Sequence, residues 1–144
     1  MSNYIFFTDG AYSSSLRQMG IGIICIKDDN VILEWSNMYK GGSNNQAELG
    51  AVIIALRTIK KSINSLTIYT DSMYVIGCGT QGWKRKKNIV MWNEFDKQYN
   101  RVKELCSNIQ FIHVKGHQSG DNLSDIAIWN NKVDKLAVLS SQRI

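Results

Sequence analysis

The sequence predicts an α/β domain, a five-stranded mixed sheet with helices on both faces. Two runs of β-branched and aromatic residues, Tyr4-Ile5-Phe6-Phe7-Thr8-Asp9 and Leu66-Thr67-Ile68-Tyr69-Thr70-Asp71, read as buried strands that stop at the same Thr-Asp dipeptide. A well-capped amphipathic helix lies between them, and the connection it makes to a parallel strand should be right-handed. Three strands, a helix, a strand, two helices, a strand and a helix follow one another along the chain, which is the order of a mixed, doubly covered sheet.

Each element has its own signal. Tyr4 to Thr8 is the first strand. Ile21 to Lys27 is the second, Asp28-Asp29-Asn30 is a polar turn, and Val31 to Met38 is the third, so the first three strands form an antiparallel meander. Ser43 and Gln46 fit a capping box, as do Asn45 and Glu48 one register later, and apolar periodicity then runs to Ile59. Leu66 to Thr70 is the fourth strand, followed by a short helix from Ser72 to about Gly77. Asn88 to Leu105 reads as a longer helix with Trp92, Phe95, Tyr99 and Val102 on one side. Ile109 to Val114 is the fifth strand and Asn131 to Leu139 the last helix. Strands one, four and five should run parallel, and ligands in such sheets collect beyond the carboxyl ends of the strands.

Composition narrows the class. With 144 residues and 44% hydrophobic side chains, the chain can bury a proper core as a single domain spanning residues 1–144, without a separate nucleic-acid-binding domain. No apolar stretch approaches a membrane span, and Met1-Ser2-Asn3 leads directly into the first strand. The expectation is a cytoplasmic protein, or a nuclear one if the source is eukaryotic or viral, neither secreted nor bound to a membrane. Cys25, Cys78 and Cys106 form no C-x-x-C pair, so neither a zinc site nor a disulfide framework is indicated. A net charge of +5 fits an anionic partner, and Lys84-Arg85-Lys86-Lys87 carries much of that excess.

The two strand-terminal acids point to chemistry. Side by side on parallel strands, the Asp9 and Asp71 carboxylates would raise each other's pKa unless a cation lay between them. Glu48 shares a helix face with Ala51, Val52, Ala55, Leu56 and Ile59, the face that packs on the sheet, so it points inward. Asp134 follows Asn131 in the first turn of the predicted last helix. Singly, each acid has an ordinary explanation: a turn at Asp9-Gly10, a helix cap at Asp71-Ser72 or Glu48, a dipole interaction at Asp134. Four converging acids make a site. His117, in the glycine-flanked loop Lys115-Gly116-His117, can move protons near neutral pH, whereas His113 within a strand reads as a packing or surface residue.

Asp9-Gly10, Asn44-Asn45-Gln46-Ala47-Glu48-Leu49, Tyr69-Thr70-Asp71-Ser72, Val114-Lys115-Gly116-His117 and Val133-Asp134-Lys135-Leu136-Ala137 together resemble type 1 ribonuclease H, in order and over nearly the whole chain. The resemblance implies the ribonuclease H-like fold. It also implies an endonuclease that cuts the RNA strand of RNA–DNA hybrids and leaves 5′-phosphate and 3′-hydroxyl ends. By the same resemblance two Mg²⁺ ions, or Mn²⁺ as substitute, are held by Asp9, Glu48, Asp71 and Asp134, with Asp9 touching both. Oxygen ligands suit Mg²⁺, and two ions about 4 Å apart activate the attacking water and stabilise the leaving oxygen. His117 matches the family's loop histidine, assigned to proton movement or product release.

Ser43, Asn44, Asn45 and Gln46 fall where the family contacts the nucleic-acid backbone and reads RNA, and only a contact to the 2′-hydroxyl separates RNA from DNA at one position. Asn44 and Asn45 can equally cap the helix, and the two roles are compatible. Ser15, Trp83, Lys84, Arg85 and Lys86 complete the predicted substrate surface, the last four as an aromatic stacker among phosphate-binding cations. Three departures from the family pattern stand out. The basic segment from Gly82 to Trp92 is short for a family handle, which suggests a monomer with weaker hybrid binding or help from a partner domain. The stretch between His117 and Asp134 is longer than usual, with apolar residues around 121–129 that need somewhere to pack. Met73 and Ser13-Ser14-Ser15 stand where the family has a polar residue and a glycine- and proline-rich loop. The competing readings are another nuclease of the same fold, such as a resolvase or integrase, and a non-catalytic hybrid- or RNA-binding module. The asparagine pair before Glu48 and the Lys115-Gly116-His117 loop oppose the first, and the presence of all four acids opposes the second.

Overall fold

The computed structural model describes residues 1–144. Its elements are β1 (Asn3–Ser13), β2 (Gln18–Lys27), β3 (Asn30–Lys40), α1 (Asn44–Arg57), β4 (Ser65–Thr70), α2 (Met73–Thr80), α3 (Ile89–Lys103), β5 (Ile109–His113) and α4 (Asp125–Ser141). The strands form one sheet in the order β3-β2-β1-β4-β5. β1, β2 and β3 are antiparallel neighbours, while β4 runs parallel to both β1 and β5. The mixed sheet predicted from the sequence is the sheet observed.

The two faces are covered differently. Phe6, Ile21, Ile23, Leu66 and Ile68 turn to one face and are sealed by Leu49, Val52 and Leu56 of α1 and by Trp92, Phe95 and Val102 of α3. Phe7 and Ile24 turn to the other face, under Val133 and Trp129 of α4. Alternation along each strand decides which side chain goes where. Arg101 fastens the α1–α3 layer by donating to the carbonyls of Ile59 at 2.7 Å and Leu56 at 2.9 Å, so it closes the carboxyl end of α1. All three cysteines are buried and unbridged. No helix is long and apolar enough to cross a membrane.

Two boundaries differ from the sequence-based expectation by more than three residues. β1 does not stop at Thr8. Its parallel pairing with β4 ends at Phe7–Tyr69, but its antiparallel ladder with β2 carries it on to Ser13–Gln18. Asp9-Gly10 is therefore strand interior rather than a turn. The larger difference is α4, which begins at Asp125 instead of Asn131 and absorbs much of the long stretch after His117. Ser124 caps it by accepting from the Ala127 amide at 3.1 Å, and Ala127, Asn130, Val133 and Ala137 form one buried stripe. Trp129 finds its partner in Phe7, with ring centroids 6.5 Å apart. The apolar residues of the extra segment are thus the first turns of the helix, and Asp134 lies well inside it.

Candidate functional site

The end of the parallel pairing opens the sheet where the acids lie. β1 continues past that point and carries Asp9, 2% exposed, while Asp71 is the first residue after β4. α1 delivers Glu48 to the same place, buried to 6% exposure on the stripe the sequence indicates. Ser43 caps that helix, accepting from the Gln46 amide at 3.1 Å. Ser72, not Asp71, caps α2 by accepting from the Val75 amide at 3.1 Å, so the Asp71 carboxylate is not spent on the helix end. Asp134 arrives from the middle of α4, where a helix-dipole explanation for its position no longer applies.

These residues converge. Asp9, Asp71 and Asp134 each present an oxygen, and the three oxygens lie within 4.8 Å of one another. Glu48 is tied in through Gly10, whose amide donates to Asp9 Oδ1 at 2.9 Å and to Glu48 Oε1 at 3.2 Å. The second oxygens of both residues, Asp9 Oδ2 and Glu48 Oε2, are buried without a hydrogen-bond partner. Gly116 closes the other side so tightly that a Cβ there would sit 2.7 Å from Asp71 Oδ2. His117 stands at the mouth, with a left-handed φ of 51°. It is 79% exposed, its Nδ1 3.7 Å from Asp134 Oδ2.

Packing carboxylates this closely shifts their protonation. Burial, and then the neighbouring Glu48, push the Asp9 carboxyl far above the usual carboxylate range. Burial likewise raises Glu48, against the opposing effect of the hydrogen bonds it accepts. Burial, then Asp134, raises Asp71. Two buried oxygens without partners and three carboxyls that resist ionisation describe an anionic cage suited to a hard cation.

The cleft measures about 490 Å³ and is also lined by Asn44 and Tyr12. Tyr12 was not among the residues the sequence singles out, because a first strand ending at Thr8 leaves it in a loop. Strand alternation continued four residues further would have found it. The remaining predicted residues do not line this cleft. Asn45 is exposed beside Asn44, and Ser15 is exposed in the β1–β2 turn. Gln46 is engaged with Asn88. Trp83 is half-exposed, and Lys84 and Lys86 are exposed. Arg85 is different: it donates to Asp96 at 2.7 Å and to the Cys78 carbonyl at 3.0 Å, and its guanidinium lies 4.4 Å over the Trp92 ring. His113 ends β5 on the surface.

The RNase H family model matches residues 1–142. The chain belongs to the RNase H family. It is 35% identical to the ribonuclease H of Trichodesmium erythraeum over 147 residues, covering 96% of this chain and 88% of that one. It is 32% identical to the ribonuclease H of Acetivibrio thermocellus over 151 residues, covering 95% and 93%. Among solved structures, LC11-RNase H1 in complex with RNA/DNA hybrid superposes with a TM-score of 0.75 at 22% identity, covering 96% of each chain. The protease–reverse transcriptase of prototype foamy virus superposes with a TM-score of 0.80 at 25% identity over all of this chain and 21% of that one. This RNase H is therefore a ribonuclease by family, and the acid cluster occupies the sheet edge where the fold collects ligands.

Proposed function

We propose that this RNase H hydrolyses the RNA strand of RNA–DNA hybrids, with divalent cations held by Asp9, Glu48, Asp71 and Asp134. The observation that carries the reading is the set of four converging carboxyl groups, two of which keep a buried oxygen without a partner. The all-oxygen set suits Mg²⁺, with Mn²⁺ as substitute. A pair of such ions would supply Lewis-acid activation of water and neutralise charge at the phosphate.

The chain's own residues do the rest. Asp9, central among the acids, holds the cage together through the Gly10 amide it shares with Glu48. Asn44 lines the cleft at the start of α1 and Asn45 is exposed beside it, and the amide of either can pair with a 2′-hydroxyl. His117 at the mouth takes up the proton released by the attacking water or passes one to the departing O3′. Water attacks phosphorus and the P–O3′ bond breaks, which leaves a 5′-phosphate and a 3′-hydroxyl. The test is a cleavage panel of hybrid, RNA duplex, DNA duplex and a duplex with one ribonucleotide, in Mg²⁺ and in Mn²⁺. Cleavage confined to the RNA of the hybrid is expected; equal cleavage of duplex DNA would overturn the proposal.

Electrostatics adds a prediction about stability. Asp9, Glu48 and Asp71 all have folded-state pKa values above their unfolded ones. Below about pH 4 these acids are neutral in both states and cost nothing. As pH rises the unfolded chain sheds its protons while the folded chain holds them, so metal-free stability falls toward alkaline pH. A bound cation removes that penalty. Calorimetric unfolding with Mg²⁺ against EDTA should show a Tm increase of several degrees at pH 8 and a smaller one at pH 5.5, with protons released on binding. Equal increases at both pH values would contradict this origin.

The basic segment is open to a separate measurement. Arg85 is structural in part, so of the three cations predicted to meet phosphate Lys84 and Lys86 remain exposed for it. Neutralising both should lower the slope of log affinity against log salt by about 1 to 2, with an unchanged unfolding midpoint. An unchanged slope would exclude phosphate contact there.

A further inference from the structure

The sheet ends on one side in a long strand with an open edge. β3 pairs with β2 and has no neighbour on its outer side. Gly41 donates to the Arg17 carbonyl at 2.8 Å, and the pairing alternates from there, so Trp35, Asn37 and Tyr39 turn their backbone groups inward to β2. Glu34, Ser36, Met38 and Lys40 turn theirs outward. The Met38 amide fits this, since it donates to the adjacent Asn37 Oδ1 at 2.9 Å. Such an edge is a template for another strand, and proteins block it with proline, bulges or charged side chains. This chain contains no proline, and the register shift in β3 falls beside Leu33, before the outward-facing row. The two charges in that row, Glu34 and Lys40, have opposite signs.

We infer that β3 pairs antiparallel with the β3 of a second copy of this chain, across a two-fold axis at Asn37. Two-fold pairing sets each residue opposite one on the same face of the sheet, so the position of the axis fixes every pair. With the axis at Asn37, Ser36 meets the second copy's Met38 and Glu34 meets its Lys40, each pair occurring twice. All the outward-facing residues from Glu34 to Lys40 then enter the ladder. Opposite charges directly across a ladder attract, whereas an axis at Glu34 or at Lys40 would set like charges face to face. Glu34 spends one oxygen on Lys132, and Lys40 spends one of its three donors on Gln18, so both keep capacity for a partner. On the other face Trp35 meets Tyr39, again twice. The helices leave that end of the sheet partly uncovered, with Tyr39 exposed and Trp35 half-buried. The Asn37 carboxamide, released from the Met38 amide, meets its own copy at the axis. One strand from each copy makes a small interface, so association is weak and the dilute protein is the monomer expected from the sequence. β3 lines no part of the acid cleft, so each copy keeps its site open.

Sedimentation equilibrium of the whole chain from about 5 to about 500 μM should show reversible monomer and dimer and nothing larger. Glu34→Lys and Lys40→Glu should each weaken association about fivefold or more, and the double variant should recover it to within about twofold of the parent. Unfolding midpoints measured alongside show which variants stay folded. Asn37→Cys reads the register without touching a charge. Opposed Cα atoms at the axis are about 4.5 Å apart, within disulfide reach, so mild oxidation should cross-link it. Val31→Cys, far from the axis, should stay uncrosslinked, and the three native cysteines are buried. A chain that remains monomeric at about 500 μM, or assembles beyond a dimer, would overturn the proposal. So would a folded double variant that fails to recover association, or equal cross-linking at the two cysteine positions.

Discussion

Asp71→Asn is expected to lower Mg²⁺-dependent cleavage of hybrid by about 10³-fold or more while hybrid affinity stays within about threefold. The substitution keeps the shape of the side chain and removes one negative charge from a site whose other acids are fixed by β1, α1 and α4. The amide that replaces the carboxylate would offer a neutral oxygen where a hard cation needs an anionic one, so the loss falls on chemistry. In the proposed function, binding is spread over Asn44, Asn45 and the exposed lysines and does not depend on the Asp71 carboxylate alone. Folding supports the same split. Burial and the Asp134 charge both oppose ionisation of Asp71, so the variant should be at least as stable as the parent without metal. Single-turnover cleavage, anisotropy binding and unfolding in EDTA separate the three quantities. Undiminished cleavage would remove Asp71 from the site.

Gly10→Ala is expected to destabilise the protein by about 3 kcal/mol or more and to disable the site with it. A Cβ at this position would overlap the backbone of Ala47 and Glu48, which are rigid helix atoms that no rotamer change can move aside. The first turn of α1 would have to lift from β1. That shift also breaks the Gly10 amide's bond to Glu48, so Glu48 loses the anchor it shares with Asp9. Denaturant unfolding should show a lowered midpoint, and Mg²⁺ should protect the variant less than the parent. A near-neutral variant would mean that α1 packs more loosely on β1 than the close approach implies.

How far the sequence reached depended on whether the signal was local. The Ser43 cap and the inward stripe of α1 are properties of one segment, so Glu48 could be placed on a buried face before any partner was known. The apolar runs before Asp9 and Asp71 marked the sheet centre in the same way, and two parallel strands put both acids at one edge. Asp134 was found as a residue but set on a helix that begins too late. The missing turns are recognisable only through contacts from elsewhere, Trp129 against Phe7 and the Asn130–Val133 stripe against the sheet. Arg85 shows the same limit. In a run of four cations nothing distinguishes it, and only Asp96, Trp92 and the Cys78 carbonyl, brought close by folding, turn it from a substrate cation into a structural one.

Sequence alone therefore pointed to the strand and helix types, the sheet, and the four acids, three of them with their approximate placement, because periodicity and capping act over a few residues. Tertiary structure decided the length of β1, the start of α4, the division of labour within the basic segment and the link between Gln46 and Asn88. Each of these depends on which distant side chain fills the neighbouring space, an outcome of packing that no local pattern encodes.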